Sequence, residues 1–111
     1  MAWEILIHEE VEAWIAGLSE EDYTKVSAAL DALEVKGPLL GRPLADRIKG
    51  SRYQNLKELR PPGSAIRILD YFDRARRAVL LVAGDKSNNW REWYVKNILI
   101  AESRIEEEDC G

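Results

Sequence analysis

The sequence predicts an α+β fold with an N-terminal strand, a helical hairpin, a three-strand antiparallel meander that completes a small sheet, and a C-terminal helix. Three observations support this prediction. Apolar and β-branched runs of strand length lie at 56–60, 66–72 and 78–83. Turn residues separate these runs, and apolar residues recur at helical spacing on both sides of the stretch. With 111 residues, the chain is expected to form one domain, residues 1–111, with its own core.

The N-terminal part is predicted to contain one strand and two helices. Residues 2–7 are an apolar run suited to a strand, and His8 ends it. Residues 9–18 carry apolar side chains at the three- and four-residue spacing of an amphipathic helix. Ser19 can cap a second helix, which the Gly-Pro pair at 37–38 ends. A single histidine without partners at metal-ligand spacing is interpreted as a strand-end residue rather than a catalyst.

The segment 38–54 is predicted to be a long loop. It is rich in glycine, proline and basic residues, and a loop of this length inside a small domain usually has a function. Because the loop lies just ahead of the meander, its cations are expected to continue any basic surface of the sheet. These cations are Arg42, Arg47, Lys49 and Arg52.

The meander carries charged side chains among apolar ones. Alternation along its second strand separates two sets of side chains, namely Ile66, Ile68 and Phe72 on one face and Arg67, Leu69 and Tyr71 on the other. A charge inside an apolar strand is costly unless it is paired or lies at the rim of a cleft. Arg67 therefore either pairs with Glu58 or Asp70, extends along the sheet to solvent, or belongs to a functional site.

Charge is strongly segregated along the chain, although the net charge is only −4. Residues 1–41 carry two basic and nine acidic side chains, a balance of −7, whereas residues 42–77 carry ten basic and four acidic ones, a balance of +6. Residues 78–111 hold four basic and seven acidic side chains. Since a local basic field can bind phosphates whatever the far side carries, this asymmetry favours a polyanion-facing surface over a mixed solvated one.

A C-terminal helix is predicted after the turn at 87–89, from aromatic and apolar residues at helical spacing. Its first turns hold Trp90, Trp93 and Tyr94. These rings could form a platform on which bases stack. Alternatively, they pack the helix onto the sheet, because aromatic side chains dominate core burial.

The remaining composition limits the chemistry and the location. The chain has one cysteine, Cys110, so it offers neither a disulfide framework nor a cysteine-based metal site, which suits a reducing cytoplasm. No apolar run approaches membrane-spanning length, and the first residues lack the basic and apolar regions of a signal peptide. We therefore expect a cytoplasmic protein with no membrane partner, no metal and no cofactor.

The order of elements resembles the RelE/ParE superfamily of bacterial toxins, and within it the phage-derived HigB-like branch. The resemblance covers nearly the whole chain, and the order and spacing of its motifs are more specific than any one of them. The motifs are Leu-Lys-Glu-Leu-Arg at 56–60, Gly63 with Ile-Arg-Ile at 66–68, Val-Leu-Leu-Val at 79–82 with Gly-Asp-Lys at 84–86, and Ile-Ala-Glu-Ser-Arg at 100–104.

The resemblance implies a type II toxin that enters the ribosome and cuts messenger RNA without a metal. Its partner would be a cognate antitoxin, often with a helix-turn-helix. Arginine offers a planar fork for phosphate oxygens, and burial can tune lysine toward general-base work. The residues expected to carry catalysis are Lys57, Arg60, Arg67 and Lys86. Those expected to bind RNA are Arg42, Arg47, Lys49, Arg52, Trp90 and Tyr94.

Two other functions fit the same resemblance. A ParE-like protein inhibits DNA gyrase without cutting RNA, and it shares this fold, so the fold cannot separate the two activities. A third possibility is a degraded module that only binds an antitoxin. A set of basic residues gathered around one face favours the nuclease.

Overall fold

The computed structural model describes residues 2–110 and confirms the α+β class, with three helices and five strands in this part of the chain. No helix within it is both long and apolar enough to cross a membrane. A short 3₁₀ turn, Gly37–Leu39, follows the second helix. In chain order the helices and strands are β1 (Glu4–Ile7), α1 (Glu9–Ala16), α2 (Glu20–Lys36), β2 (Ala45–Arg47), β3 (Lys57–Leu59), β4 (Ile66–Phe72), β5 (Arg77–Asp85) and α3 (Trp90–Cys110).

The strands form one mixed sheet in the order β1-β5-β4-β3-β2. The predicted meander is β3–β4–β5, whose neighbours are antiparallel, while β1 runs parallel to β5. Each face of the sheet buries its own apolar cluster. The helical hairpin covers one face through residues such as Val26 and Leu33. The other face packs against α3 through Ala101 and Ile105.

The prediction of an uninterrupted loop over 38–54 is wrong, because its centre forms β2. This three-residue edge strand pairs with β3 and aligns Asp46 with Glu58. The segment Ala-Asp-Arg has neither the length nor the β-branched residues of a strand signal. Ladder hydrogen bonds to β3 and the burial of Ala45, which is 4% exposed, hold it in place. Tertiary pairing therefore decides its conformation.

The predicted alternation along β4 is confirmed. Ile66, Ile68 and Phe72 pack on the face of the helical hairpin, and Leu69 and Tyr71 pack on the face of α3. Across from this strand, β5 contains a β-bulge, because Leu69 aligns with Val82 while the next residue aligns with Leu80. The extra residue is Leu81. As a result, Leu81 and Val82 both contribute to the cluster under α3.

The predicted start of α1 and both predicted ends of α2 are also confirmed, whereas α1 ends at Ala16, two residues before the predicted position 18. The Ser19 hydroxyl accepts a hydrogen bond from the backbone N–H of Asp22 at 3.2 Å, and the residue that caps the other end of α2 is Gly37. His8 is a strand-end residue, because its Nδ1 accepts from the backbone N–H of Glu10 at 3.1 Å and caps α1. These caps fix the hairpin on the sheet face that lies away from α3.

Candidate functional site

An open cleft of about 540 Å³ lies between the β2–β3 edge of the sheet and the first turns of α3. It collects residues from four separate parts of the chain, and seven of its lining residues are ones that the sequence proposed for catalysis or RNA binding. The lining residues are Arg42, Asp46, Arg47, Ile48, Lys49, Glu58, Arg60, Lys86, Trp90, Tyr94 and Ile98.

Glu58 is the centre of the polar contacts in the cleft. It lies in the middle of β3 and is only 5% exposed. Its Oε1 accepts a hydrogen bond from the Tyr94 hydroxyl at 2.6 Å, and its Oε2 accepts from Arg60 Nη2 at 3.3 Å. Arg67 Nε lies 3.3 Å from Oε1. A buried carboxylate needs such partners, so Glu58 gathers two cations and a phenol at one point.

Arg67 lies behind the cleft rather than in its lining. Its side chain is 13% exposed, and its Nη1 donates to the carbonyl oxygens of Ile66 at 2.7 Å and Ser64 at 3.4 Å. Its ion pair is with Glu58, which answers the question that the sequence left open between Glu58 and Asp70. The pair lacks hydrogen-bond geometry, so the buried Nε N–H of Arg67 has no acceptor among the described residues.

Arg60 joins Glu58 to a second acid, Asp46. Arg60 Nη2 lies 3.4 Å from Asp46 Oδ2, and Arg42 Nε donates to the same oxygen at 3.0 Å. The backbone N–H of Arg47, together with the Arg42 guanidinium, lowers the pKa of Asp46. Within the part of the chain that the structure describes, the buried Nε N–H of Arg60 also has no acceptor. Two guanidinium N–H groups at this site therefore lack an acceptor within residues 2–110.

Lys86 and Tyr94 complete the cleft at its α3 side. Burial lowers the pKa of Lys86, and the nearby charge of Arg67 lowers it further. The Lys86 ammonium nitrogen lies 5.5 Å from the centre of the Tyr94 ring, within range of a cation–π contact. Burial and the hydrogen bond to Glu58 raise the pKa of Tyr94 to about 12. The phenol therefore keeps its proton at neutral pH, while the lysine is shifted toward losing one.

The aromatic residues of α3 divide between the two interpretations offered by the sequence. Trp93 packs on the sheet at Gly84, where an added Cβ would lie 2.6 Å from the indole Nε1. Trp90 is 54% exposed and meets the Tyr94 ring edge-on at 6.4 Å between centroids. Trp93 thus anchors the helix on β5, and Trp90 offers an exposed ring at the mouth of the cleft.

Two residues proposed from the sequence lie elsewhere. Lys57 is on the hairpin face of the sheet, where its ammonium donates to the Pro38 carbonyl at 2.8 Å and lies 5.7 Å from the Phe72 ring centre. Arg52 forms an ion pair with Glu106 near the C-terminal end of α3. Neither side chain lines the cleft.

Two acids at the centre of the site were not proposed from the sequence as site residues. Asp46 lies in a strand that the sequence did not predict, and Glu58 was considered only as a partner for Arg67. The available signal for Glu58 was its place between Lys57 and Arg60 in an apolar strand, where alternation puts 58 and 60 on the same face. No comparable signal marks Asp46.

The fold and the cleft define a class: a small α+β protein that gathers basic residues beside the edge of a mixed sheet. The chain belongs to the family of phage-derived Gp49-like proteins, whose pattern matches residues 13–106. It is 47% identical over 102 residues to "Putative toxin HigB3" of Mycobacterium tuberculosis (strain ATCC 25618 / H37Rv), covering 92% of this chain and 90% of that protein.

A second relative from the same organism is "Putative toxin HigB2". It is 46% identical over 102 residues, and the match covers 89% of this chain but 51% of that protein. This chain therefore spans about half the length of HigB2. Together, the matches confirm the resemblance to the HigB-like toxins of toxin–antitoxin pairs. Membership in such a pair implies an antitoxin as partner.

Proposed function

We propose that this chain is a ribosome-dependent endoribonuclease that cuts messenger RNA in the cytoplasm and so inhibits translation. The observation that carries this proposal is the cluster around Glu58, in which Arg60, Lys86 and Tyr94 line one open cleft and Arg67 lies behind it. Two buried guanidinium N–H groups there have no acceptor among the described residues. Arg60 lines the cleft and is one-third exposed, so a phosphate there could accept from the exposed part of its guanidinium.

The chemistry needed is transfer of two protons and stabilisation of one anion. The ribose 2′-hydroxyl must lose its proton, the phosphate must be stabilised as it becomes five-coordinate, and the leaving 5′-oxygen must gain a proton. In the proposed mechanism Arg60 binds the phosphate from the cleft wall, and Arg67 adds positive charge from behind it. The reaction uses no metal ion.

The two proton-transfer roles go to the residues with shifted pKa values. Lys86 acts as the base, because burial and Arg67 lower its pKa. Tyr94 acts as the acid, because its phenol stays protonated well above neutral pH. Lys57 is left out of this mechanism, since the sheet separates its ammonium group from the cleft.

The RNA strand is proposed to follow the rim of the cleft. Arg42, Arg47 and Lys49 would contact its phosphates, and Trp90 would stack on a base at the cleft mouth. Arg52 lies outside this path because Glu106 holds its guanidinium. The antitoxin partner, proposed to carry a helix-turn-helix, would block this activity.

The test is induced expression of the chain alone, with primer-extension mapping of cellular transcripts. Cuts within translated regions are expected for the wild type, and Arg60→Ala should reduce cutting by about 100-fold, as for loss of one transition-state donor. Arg60 is one-third exposed, so this variant should fold. The matched control is Arg74→Ala, because Arg74 is exposed in the turn before β5 and does not line the cleft.

Growth arrest without transcript cuts would contradict the nuclease proposal. If that arrest came with DNA damage, a gyrase inhibitor would be indicated instead. If the wild type caused neither arrest nor cuts, binding to the antitoxin would be the remaining function.

A further inference from the structure

Lys86 is an amine that lines the cleft without a polar partner. It follows β5 directly and is partly buried. Among the described residues, its ammonium group forms no ion pair and no hydrogen bond, and it contacts the Tyr94 ring. Lys25 and Lys57 differ in this respect, because each donates to a backbone carbonyl oxygen, at 3.0 and 2.8 Å. The Lys86 nitrogen is therefore open to a molecule that enters the cleft.

The surroundings of Lys86 favour its neutral amine. Burial lowers the pKa of Lys86 and the charge of Arg67 lowers it further, whereas the charge of Glu58 acts in the opposite direction. A neutral amine has a free electron pair and an ammonium group has none. A lysine that is desolvated beside another cation is for this reason a better nucleophile than an exposed one.

The cleft around Lys86 also carries an excess of positive charge. Its charged lining residues are five cations, Arg42, Arg47, Lys49, Arg60 and Lys86, and two acids, Asp46 and Glu58. The acids are the less exposed groups, since Glu58 is buried and the side chain of Asp46 is 21% exposed, against 73% for Arg42. A small anion in the cleft therefore meets guanidinium groups that are open to solvent.

We propose that Lys86 is a site of acylation by small acyl phosphates. The phosphate of the reagent binds to the exposed part of the Arg60 guanidinium, in the same cleft as the Lys86 amine. The amine nitrogen forms a bond to the acyl carbon, while the bond from that carbon to the bridging oxygen breaks and leaves its electron pair on the phosphate. The nitrogen loses a proton to the released phosphate. The products are a neutral amide on Lys86 and hydrogen phosphate.

The class of reagent follows from the pairing of an amine with guanidinium groups. An acyl phosphate carries an electrophilic carbon and an anionic leaving group in one small molecule, so one cleft can bind the second and attack the first. A neutral ester offers only the electrophile, and inorganic phosphate offers only the anion. These two compounds therefore separate the contribution of the amine from that of the arginines.

Acylation needs only the cleft and does not depend on nuclease activity. Its consequence does rest on the proposed function, in which Lys86 is the base. An amide nitrogen cannot accept the proton of the ribose hydroxyl, so the acylated chain should cut transcripts at least about 100-fold more slowly, as for loss of a general base.

The test is incubation of the purified chain with acetyl phosphate, followed by peptide mass spectrometry at each lysine. Lys86 should be acetylated about tenfold faster than Lys96, because one charge-assisted hydrogen bond to the reagent supplies about that factor. Lys96 is the internal control, since it is exposed on α3 and does not line the cleft. Inorganic phosphate at constant ionic strength should slow the reaction at Lys86 and leave Lys96 unchanged.

Two comparisons show whether the arginines take part. With p-nitrophenyl acetate, which has no phosphate, the preference for Lys86 over Lys96 should fall. With acetyl phosphate, Arg60→Ala should lower the rate at Lys86 about tenfold, and Arg74→Ala should not change it. Competition by inorganic phosphate is measured on the wild type, so it decides the question even if Arg60→Ala does not fold.

Equal rates at Lys86 and Lys96 would overturn the inference. So would a preference for Lys86 that inorganic phosphate leaves intact and that the neutral ester shows to the same degree, because the guanidinium groups would then have no part in it. Transcript cleavage by the unmodified chain is read separately. Selective acetylation of Lys86 in a chain that cuts no transcript would refute only the nuclease, and cleavage without selective acetylation would refute only the acylation site.

Discussion

Two buried carboxylates, Glu58 and Asp70, lie on neighbouring strands but on opposite faces of the sheet. Glu58 faces α3 and is held by Tyr94, Arg60 and Arg67. Asp70 is 2% exposed on the hairpin face, where its strand position aligns with Lys57. Burial raises the pKa of Asp70 to about 7, against the influence of the Lys57 charge. Several donors thus compensate the Glu58 carboxylate on one face of the sheet, whereas the Asp70 carboxylate on the other face is mainly desolvated.

The difference bears on the proposed phosphate site. On the α3 face, Arg60, Lys86 and Tyr94 line an open cleft with Arg67 behind it, so a second anion would find donors already in place. On the hairpin face, helices α1 and α2 cover the sheet. Glu58 therefore lies in a site where several donors compensate a negative charge, whereas Asp70 lies in an apolar core that compensates it poorly.

The largest effect is expected from Glu58→Ala. This change leaves Arg60 and Arg67 without their shared counter-charge, and it should lower the free energy of unfolding by about 3 kcal/mol, as for a broken buried ion pair. Urea denaturation at pH 7 measures the loss. Glu58→Gln, which still accepts from Tyr94, is the control and should lose less. If Glu58→Ala were as stable as the wild type, Glu58 would not be the group that stabilises Arg60 and Arg67.

A smaller effect is expected from Tyr94→Phe. The variant removes the 2.6 Å hydrogen bond to Glu58 while keeping the ring against Trp93, so unfolding should cost about 1.5 kcal/mol less than in the wild type. Ultraviolet titration of the wild type should also show one tyrosine that ionises near pH 12 and is missing from Tyr94→Phe. A normal titration of every tyrosine would argue against the contact with Glu58.

The effect of Asp70→Asn is expected in the pH dependence of stability, where the change is small over any one pH unit. The folded-state pKa of Asp70, about 7, lies above its ordinary value of 3.8. Its burial is therefore least costly below about pH 4, and stability falls as the pH rises toward 7, by about 1 kcal/mol for each unit. Thermal unfolding from pH 5 to pH 8 should show this slope in the wild type and a flatter one in Asp70→Asn. If the stability of the two proteins changed with pH in the same way, the Asp70 carboxylate would be well paired and burial would not raise its pKa.

Much of the fold can be read from the sequence, because periodicity and end signals are local. The predicted span 66–72 coincides with β4, and Ser19 and Gly37 cap α2 as expected. The site was harder to predict because it depends on strand register. Lys57 and Arg60 are both basic, yet they are three positions apart, so alternation places them on opposite faces. Likewise, nothing local shows that β2 brings Asp46 beside Glu58.

The distribution of charge has a consequence for how the protein would approach the proposed RNA substrate. The acidic helical hairpin covers one face of the sheet, and the basic cleft opens on the other. Near a polyanion such a molecule experiences a torque that turns the hairpin outward and the cleft inward before contact is made. Encounters in which the cleft faces the polyanion should therefore be more frequent than random orientation would give. This excess should shrink as added salt screens the electric field.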